Sequence, residues 1–120
     1  MTSDDMSERL LEFAVAIARV VDALPRTKMG SHVAGQLARS GTSPASNYEE
    51  GCAAESRDDF IHKLSIVLKE LRETRLWLRL SVKASRLPES QMTGVLDECR
   101  QLCDIIGKSI VTAKTNQQKE

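Results

Sequence analysis

Residues 36–78, QLARSGTSPASNYEEGCAAESRDDFIHKLSIVLKELRETRLWL, decide how this chain folds. Their first half sets small and polar side chains, from Ser40 and Gly41 through Pro44 to Asn47, into otherwise helical patterning. Their second half is a strongly apolar helix with a basic stripe. A hinge over Gly51–Glu55 joins the halves. Ser56 then reads as an N-cap whose hydroxyl accepts the N–H three residues on, and Asp58 and Asp59 put negative charge where the helix dipole favours it. Phe60, Leu64, Val67, Leu71, Thr74 and Leu78 recur at steps of four and three, with Ile61, Leu68 and Val82 broadening the stripe. The spacing predicts a helix over 57–85, about 40 Å long at the α-helical rise.

Outward from this stretch the same periodicity continues. A second helix is expected over 31–50, opening at Ser31, with Pro44 kinking or breaking it because that residue lacks an N–H and crowds the preceding turn. If the helix continues, Ser40, Gly41, Pro44, Asn47, Tyr48 and Gly51 give it a lean face for close helix packing, and a buried Asn47 amide would find the carbonyls freed by Pro44. A first helix over 4–24 follows from Leu10, Ala14, Ile17, Val21 and Leu24, widened by Leu11, Val15 and Ala18, and ends at Pro25. A fourth over 88–114 follows from Met92, Leu96, Cys99, Cys103, Ile106, Ile110 and Ala113, with Val95 and Leu102 flanking. Residues 115–120 read as a frayed polar tail. Four amphipathic helices with short connections predict a single all-α domain over 1–120, an antiparallel up-down four-helix bundle.

Composition agrees with that class: 41% hydrophobic residues with only 3% aromatic leave little material for a sheet. Seventeen Lys and Arg against seventeen Asp and Glu give no global attraction to nucleic acid or anionic lipid, so only a local patch supplies one. Three cysteines, an odd number, read as reduced thiols of a cytoplasmic protein. No apolar run approaches the ~20 residues of a membrane span. Cys99 and Cys103 sit one turn apart in the core repeat, where a thiol behaves as a small hydrophobe, and no metal site is expected. Glu49 with Glu50 and Glu70 with Glu73 lack the partners that magnesium-dependent chemistry requires, and Asp59–Lys63 and Lys69–Glu73 read as local helix pairs. No nucleophile with a base and no Gly-rich phosphate loop is present, so neither catalysis, a cofactor nor a small-molecule substrate is expected.

Two surfaces stand out on the third helix. Ile66, Leu76, Trp77 and Leu80 lie off its core stripe, an apolar surplus that implies a subunit interface, the alternative being a wide-faced internal helix. Arg72, Arg75, Arg79, Lys83 and Arg86, spaced three, four, four and three, line one face and suit the phosphates of a nucleic acid strand. The alternatives are a solvated face or a contact with the acidic Glu49, Glu50, Glu55, Asp58 and Asp59 of another subunit.

Gln36-Leu37, Ser43-Pro44-Ala45-Ser46-Asn47, Glu50-Gly51, Ser56-Arg57, Phe60 and the run Leu64–Leu71 together resemble the signature of a bacterial four-helix-bundle protein family. Its members include proteins encoded by intervening sequences within 23S ribosomal RNA genes, and the accessory variability determinant protein of diversity-generating retroelements. The likeness spans essentially the whole chain and is most specific at Asn47, Glu50, Gly51 and Phe60. It implies a ring-like homopentamer without established enzymatic activity, in which Pro44, Asn47, Glu50, Gly51 and Phe60 are structural. In the retroelement branch it also implies binding of RNA or DNA and of a reverse transcriptase through a basic surface, here Arg72, Arg75, Arg79, Lys83 and Arg86. The retroelement proteins are strongly basic, whereas this chain is neutral.

Overall fold

A computed structural model describes residues 1–84 and 86–119. It contains four helices, α1 (Ser3–Ala23), α2 (Lys28–Cys52), α3 (Arg57–Lys83) and α4 (Glu89–Lys119), and no strand among the described residues. The first three each begin at a hydroxyl cap. Thr2 forms a reciprocal capping box with Asp5, Thr27 accepts the Gly30 N–H at 3.0 Å, and Ser56 accepts the Asp59 N–H at 3.1 Å. The Ser56 cap is where the sequence places it. The second helix opens three residues before the expected Ser31, because Thr27 is the cap and Gly30 lies in the first turn. A Cβ at Gly30 would stand 1.9 Å from the Pro25 carbonyl oxygen, so only glycine lets the chain turn back so tightly.

The expected end of the third helix at Ser85 lies outside the described residues, as does Glu120 at the end of the fourth. The polar segment from Thr115 on, expected to fray, instead continues α4 to Lys119. Ala113 is buried, and the Gln117 amide hydrogen-bonds Asp58 at the start of α3, which gives the last turn a tertiary partner.

Residues that meet across the helices run in opposite orders, which makes neighbours antiparallel. Along α2 and α3, Arg39 meets Glu73, Ser40 meets Thr74 and Glu50 meets Lys63. Along α3 and α4, Cys99 meets Leu71 and Gln117 meets Asp58. The bundle measures 52 × 21 × 20 Å, and α1 and α3, like α2 and α4, sit diagonally, with no Cα pair of the described residues within 8 Å.

The core seam differs from the expected one by a rotation of the outer helices. On α1 the buried residues are Met6, Leu10, Phe13, Ile17, Val20 and Leu24, while Leu11, Val15 and Ala18 are exposed. On α4, Leu102 is buried and Leu96 and Cys103 are half-buried; on α3, Ile61 is more buried than Phe60. An apolar stripe wider than one seam admits several four-three ladders, and the neighbouring helix selects among them.

The lean face of α2 permits the closest approaches. The helix runs unbroken through Pro44, which is buried. A Cβ on Gly41 would lie 2.6 Å from Ile17 Cγ2, so α1 and α2 touch at this glycine. On the other side Ser40 and Thr74, both fully buried, have hydroxyls 3.0 Å apart, and Thr74 also lies 2.8 Å from the Glu70 carbonyl. With one proton to give, Thr74 donates to that carbonyl and accepts from Ser40. The half-buried Asn47 amide donates to the Ser43 carbonyl at 3.0 Å, its own preceding turn, and not to the Ser40 carbonyl that Pro44 leaves free. At the end of α2, a Cβ on Gly51 would stand 3.1 Å from Lys63 Cβ and 3.6 Å from Phe60 Cδ1, and Lys63 Nζ reaches Glu50 at 3.6 Å. Of the family-like motif, Glu50, Gly51 and Phe60 therefore come together around Lys63 at the α2–α3 turn.

Candidate interaction surfaces

Helical register sorts α3 into three faces. Leu64, Val67, Leu71, Thr74 and Leu78 point into the core. Glu70, Glu73 and Trp77 turn towards α2, where the Trp77 ring meets His32 edge-on with centroids 5.6 Å apart. Arg72, Arg75, Arg79 and Lys83 are exposed on the remaining side, which borders α4. Among the described residues no carboxylate lies within ion-pair distance of these four. Arg86 departs from the row. It follows the end of the helix and is half-buried, its Nε enclosed without a hydrogen-bond partner among the described residues.

The acidic residues of α3 are held elsewhere. Arg39 of α2 binds Glu70 at 3.0 Å and Glu73 at 2.6 Å, a clamp that local pattern hides because its partners lie more than thirty positions apart. The Arg39 guanidinium holds the Glu73 carboxyl below the ordinary carboxylate range, and Glu73 in turn raises Arg39. The expected local pairs are thus replaced by contacts across the bundle: Glu73 takes Arg39 and Lys63 takes Glu50. A second cross-bundle pair joins α1 to α4, where Arg9 binds Glu98 at 2.7 Å and Gln101 at 3.0 Å. On α4, Arg100 bridges Asp97 at 2.9 Å and Asp104 at 3.4 Å, and draws Asp97 below its usual range.

Of the four surplus apolar residues on α3, Leu76 is 56% exposed at the centre of the outward face, among exposed Lys69, Arg72, Arg79 and Lys83. Ile66, Trp77 and Leu80 are half-buried on the flank towards α2. They are neither wholly core nor free surface.

A second apolar surface was not foreseen from periodicity. Leu11 and Val15 of α1 are 52% and 46% exposed, and Leu11, Ala14, Thr42 and Ala45 line a groove of about 720 Å³ between α1 and α2. Its charged lining is entirely acidic: Asp4, Glu8 and Glu49. The available signal was the excess width of the α1 stripe. Within this chain the groove and the Leu76 face carry opposite charge around an apolar centre.

Elsewhere the titratable groups serve packing. Burial, with a smaller contribution from Cys52, pushes the Tyr48 hydroxyl up to about 12. Among the described residues no three His, Cys, Asp or Glu side chains converge as metal ligands, and no helix is long and apolar enough to cross a membrane.

The family described as 23S rRNA-intervening sequence protein matches residues 4–108. A crystal structure of a protein of unknown function, from the S23 ribosomal protein family of Bacteroides thetaiotaomicron, is 32% identical in sequence and superposes with a TM-score of 0.84, covering 92% of this chain and 98% of that one. No curated protein matches the chain.

Proposed function

This chain belongs to the 23S rRNA-intervening sequence protein family, and from its two oppositely charged apolar faces we propose that it works as a self-assembling, non-enzymatic scaffold of the bacterial cytoplasm. The carrying observation is the complementarity just described. The acidic α1–α2 groove around Leu11 accepts the basic α3 face around Leu76 of a second copy, with Ile66, Trp77 and Leu80 at the edge of the contact. Such a contact joins different patches head to tail, so it propagates from copy to copy, and it makes a ring when the rotation between copies closes. A ring of five is the form the family resemblance implies. The scaffold reading also accounts for the acids: Glu70, Glu73, Glu98 and Asp97 hold arginines in structural pairs.

Light scattering and sedimentation at micromolar concentration test it. The wild type is expected to be oligomeric, and both Leu76→Glu and Leu11→Arg are expected to release monomers with unchanged helix content. A monomeric wild type refutes the proposal.

A second reading, nucleic acid binding, is favoured by one observation: Arg72, Arg75, Arg79 and Lys83 share a face with no carboxylate of the described residues in ion-pair reach. Four phosphate contacts would give a log–log salt slope of roughly −3 for a single strand. The partner would be RNA or DNA, together with a reverse transcriptase if the chain acts as the retroelement branch does. Binding that weakens with salt and is lost in Arg75→Glu/Arg79→Glu supports this reading. No binding to either nucleic acid at low salt removes it.

A further inference from the structure

Charges without partners of their own stand on both faces of the proposed assembly. Asp4 and Glu8 on α1, and Lys69 and Arg72 on α3, are exposed, and among the described residues none of them is in an ion pair. Exposed Leu11 and Val15 accompany the acids, and exposed Leu76 and half-buried Leu80 accompany the cations.

These residues follow the same spacing on the two helices. Asp4, Leu11 and Val15 are separated by steps of seven and four, and so are Lys69, Leu76 and Leu80. Each α3 residue stands 65 positions beyond its α1 counterpart. At that offset Glu8 falls on Glu73, which Arg39 already holds, with the unpaired Arg72 beside it. The directions agree as well. Ile17 lies against Gly41 and Asp4 shares a groove with Glu49, so α1, like α3, runs against α2, and α1 and α3 are parallel.

Resting on the scaffold reading above, we propose that neighbouring copies lock in one parallel register: Leu11 faces Leu76 of the next copy, Asp4 faces Lys69, Glu8 faces Arg72 and Val15 faces Leu80. Sliding one copy by a heptad in either direction would set Leu11 on Lys69 or Lys83, and Asp4 on His62 or Leu76. Of these three registers, only the proposed one matches charge with charge and leucine with leucine. A closed ring of elongated subunits packed side by side gives them all one polarity, which rules out the antiparallel arrangement.

The register also sets the lean of the subunits. Gly41 meets Ile17 and Ser40 meets Thr74, so within one copy residue 73 stands level with Ile17, 56 positions on. Leu76, at 65 positions beyond Leu11, lies nine residues past level, and nine residues rise about 14 Å. Across a bundle 21 × 20 Å in section, that stagger leans each subunit by about 34° in a closed ring, as strands lean in a barrel.

Charge exchange and disulfide trapping test the register in the full-length chain, with Cys52→Ser to remove the exposed thiol. In sedimentation, Glu8→Arg and Arg72→Glu are each expected to weaken association roughly fivefold, and the two together to recover most of the loss. Lys83→Glu, three turns further along the same face, should not rescue Glu8→Arg. Under mild oxidation a chain with Leu11→Cys and Leu76→Cys should link copy to copy, whereas one with Leu11→Cys and Lys69→Cys, close to level, should not. Should the cysteine chains fall apart into monomers, the charge exchange alone decides. Linking through Lys69→Cys, rescue by Lys83→Glu as complete as by Arg72→Glu, failure of Arg72→Glu to rescue, or no linking through Leu76→Cys in an oligomeric chain would each overturn the register and leave the scaffold standing. A monomeric wild type removes both.

Discussion

All six glycines lie inside helices, and replacing each with alanine makes the same chemical change in different surroundings. Alanine is favoured over glycine in a helix interior by about 1 kcal/mol. At Gly35, Gly94 and Gly107 the new methyl meets nothing within 4 Å, so the gain should be realised in full. At Gly51 the methyl meets Lys63 Cβ at 3.1 Å, and gain and crowding should nearly cancel. At Gly41 it would stand 2.6 Å from Ile17 Cγ2 and 2.8 Å from Cγ1. Carbon pairs prefer about 3.5–4.0 Å, so α1 must retreat by about 1 Å. Overpacking of this kind costs about 1–3 kcal/mol, leaving a net loss of up to about 2 kcal/mol after the propensity gain. Gly30→Ala, 1.9 Å from a backbone oxygen that cannot swing aside, should be the most damaging of the six. Urea unfolding followed by circular dichroism, at one fixed protein concentration, reads the series. With an m-value of about 1.5 kcal/mol/M, each 1 kcal/mol moves the midpoint by about 0.7 M. The decisive control is Ile17→Ala, which removes both Cγ atoms and leaves only Cβ at 3.0 Å: in that background most of the cost of Gly41→Ala should disappear. Should Gly41→Ala stabilise the wild type as Gly35→Ala does, or cost as much without the Ile17 side chain as with it, the close approach of α1 to α2 is wrong.

Three further outcomes follow from named contacts. Thr74→Val should destabilise by about 1–3 kcal/mol because it strands the buried Ser40 hydroxyl, whereas Ser40→Ala should cost less because Thr74 keeps the Glu70 carbonyl; chemical denaturation of both, with the double variant, checks the asymmetry. Arg39→Gln should lower the urea midpoint at neutral pH. Glu73 is held below the ordinary carboxylate range, so its contribution is complete at neutral pH and disappears as pH falls through that depressed value; the gap between variant and wild type should therefore close in acid, and a gap that persists there contradicts the clamp. A charge exchange combining Leu11→Arg with Leu76→Glu should restore part of the association that either substitution loses alone, read by light scattering, if these two positions face each other between copies.

What the sequence could reveal divides by range. Helices and their caps depend on residues three or four apart, which is why Ser56 and the break after Leu24 could be read directly. The start of α2 at Thr27 is not legible in this way, because only the Pro25 carbonyl beside Gly30 explains why a glycine sits inside the first turn. The arginine row was legible because one helix carries it. Arg39, by contrast, means nothing locally, and its role follows from Glu70 and Glu73 arriving on another helix. The α1–α2 groove was hidden for the same reason: Leu11 looked like core until Phe13 and Val20 took that place.

The proposed assembly places a geometric demand on these faces. In an idealised square bundle the α1–α2 groove lies on an edge and the outward face of α3 at a far corner, about 135° away as seen from the bundle axis. Faces 180° apart would stack copies into a straight row, so this arrangement already curves towards closure. Five-fold closure needs an angle of about 108°, the interior angle of a pentagon, which requires the contact to shift from Leu76 towards α2. The residues on that flank are the half-buried Ile66, Trp77 and Leu80. Their partial exposure then has a reason: a single subunit covers the sides that face α2 and the core, and the neighbouring copy covers the rest. A contact centred on Leu76 alone would instead favour a larger ring, so the ring size of a Leu80→Ser variant reports where on α3 the contact is centred.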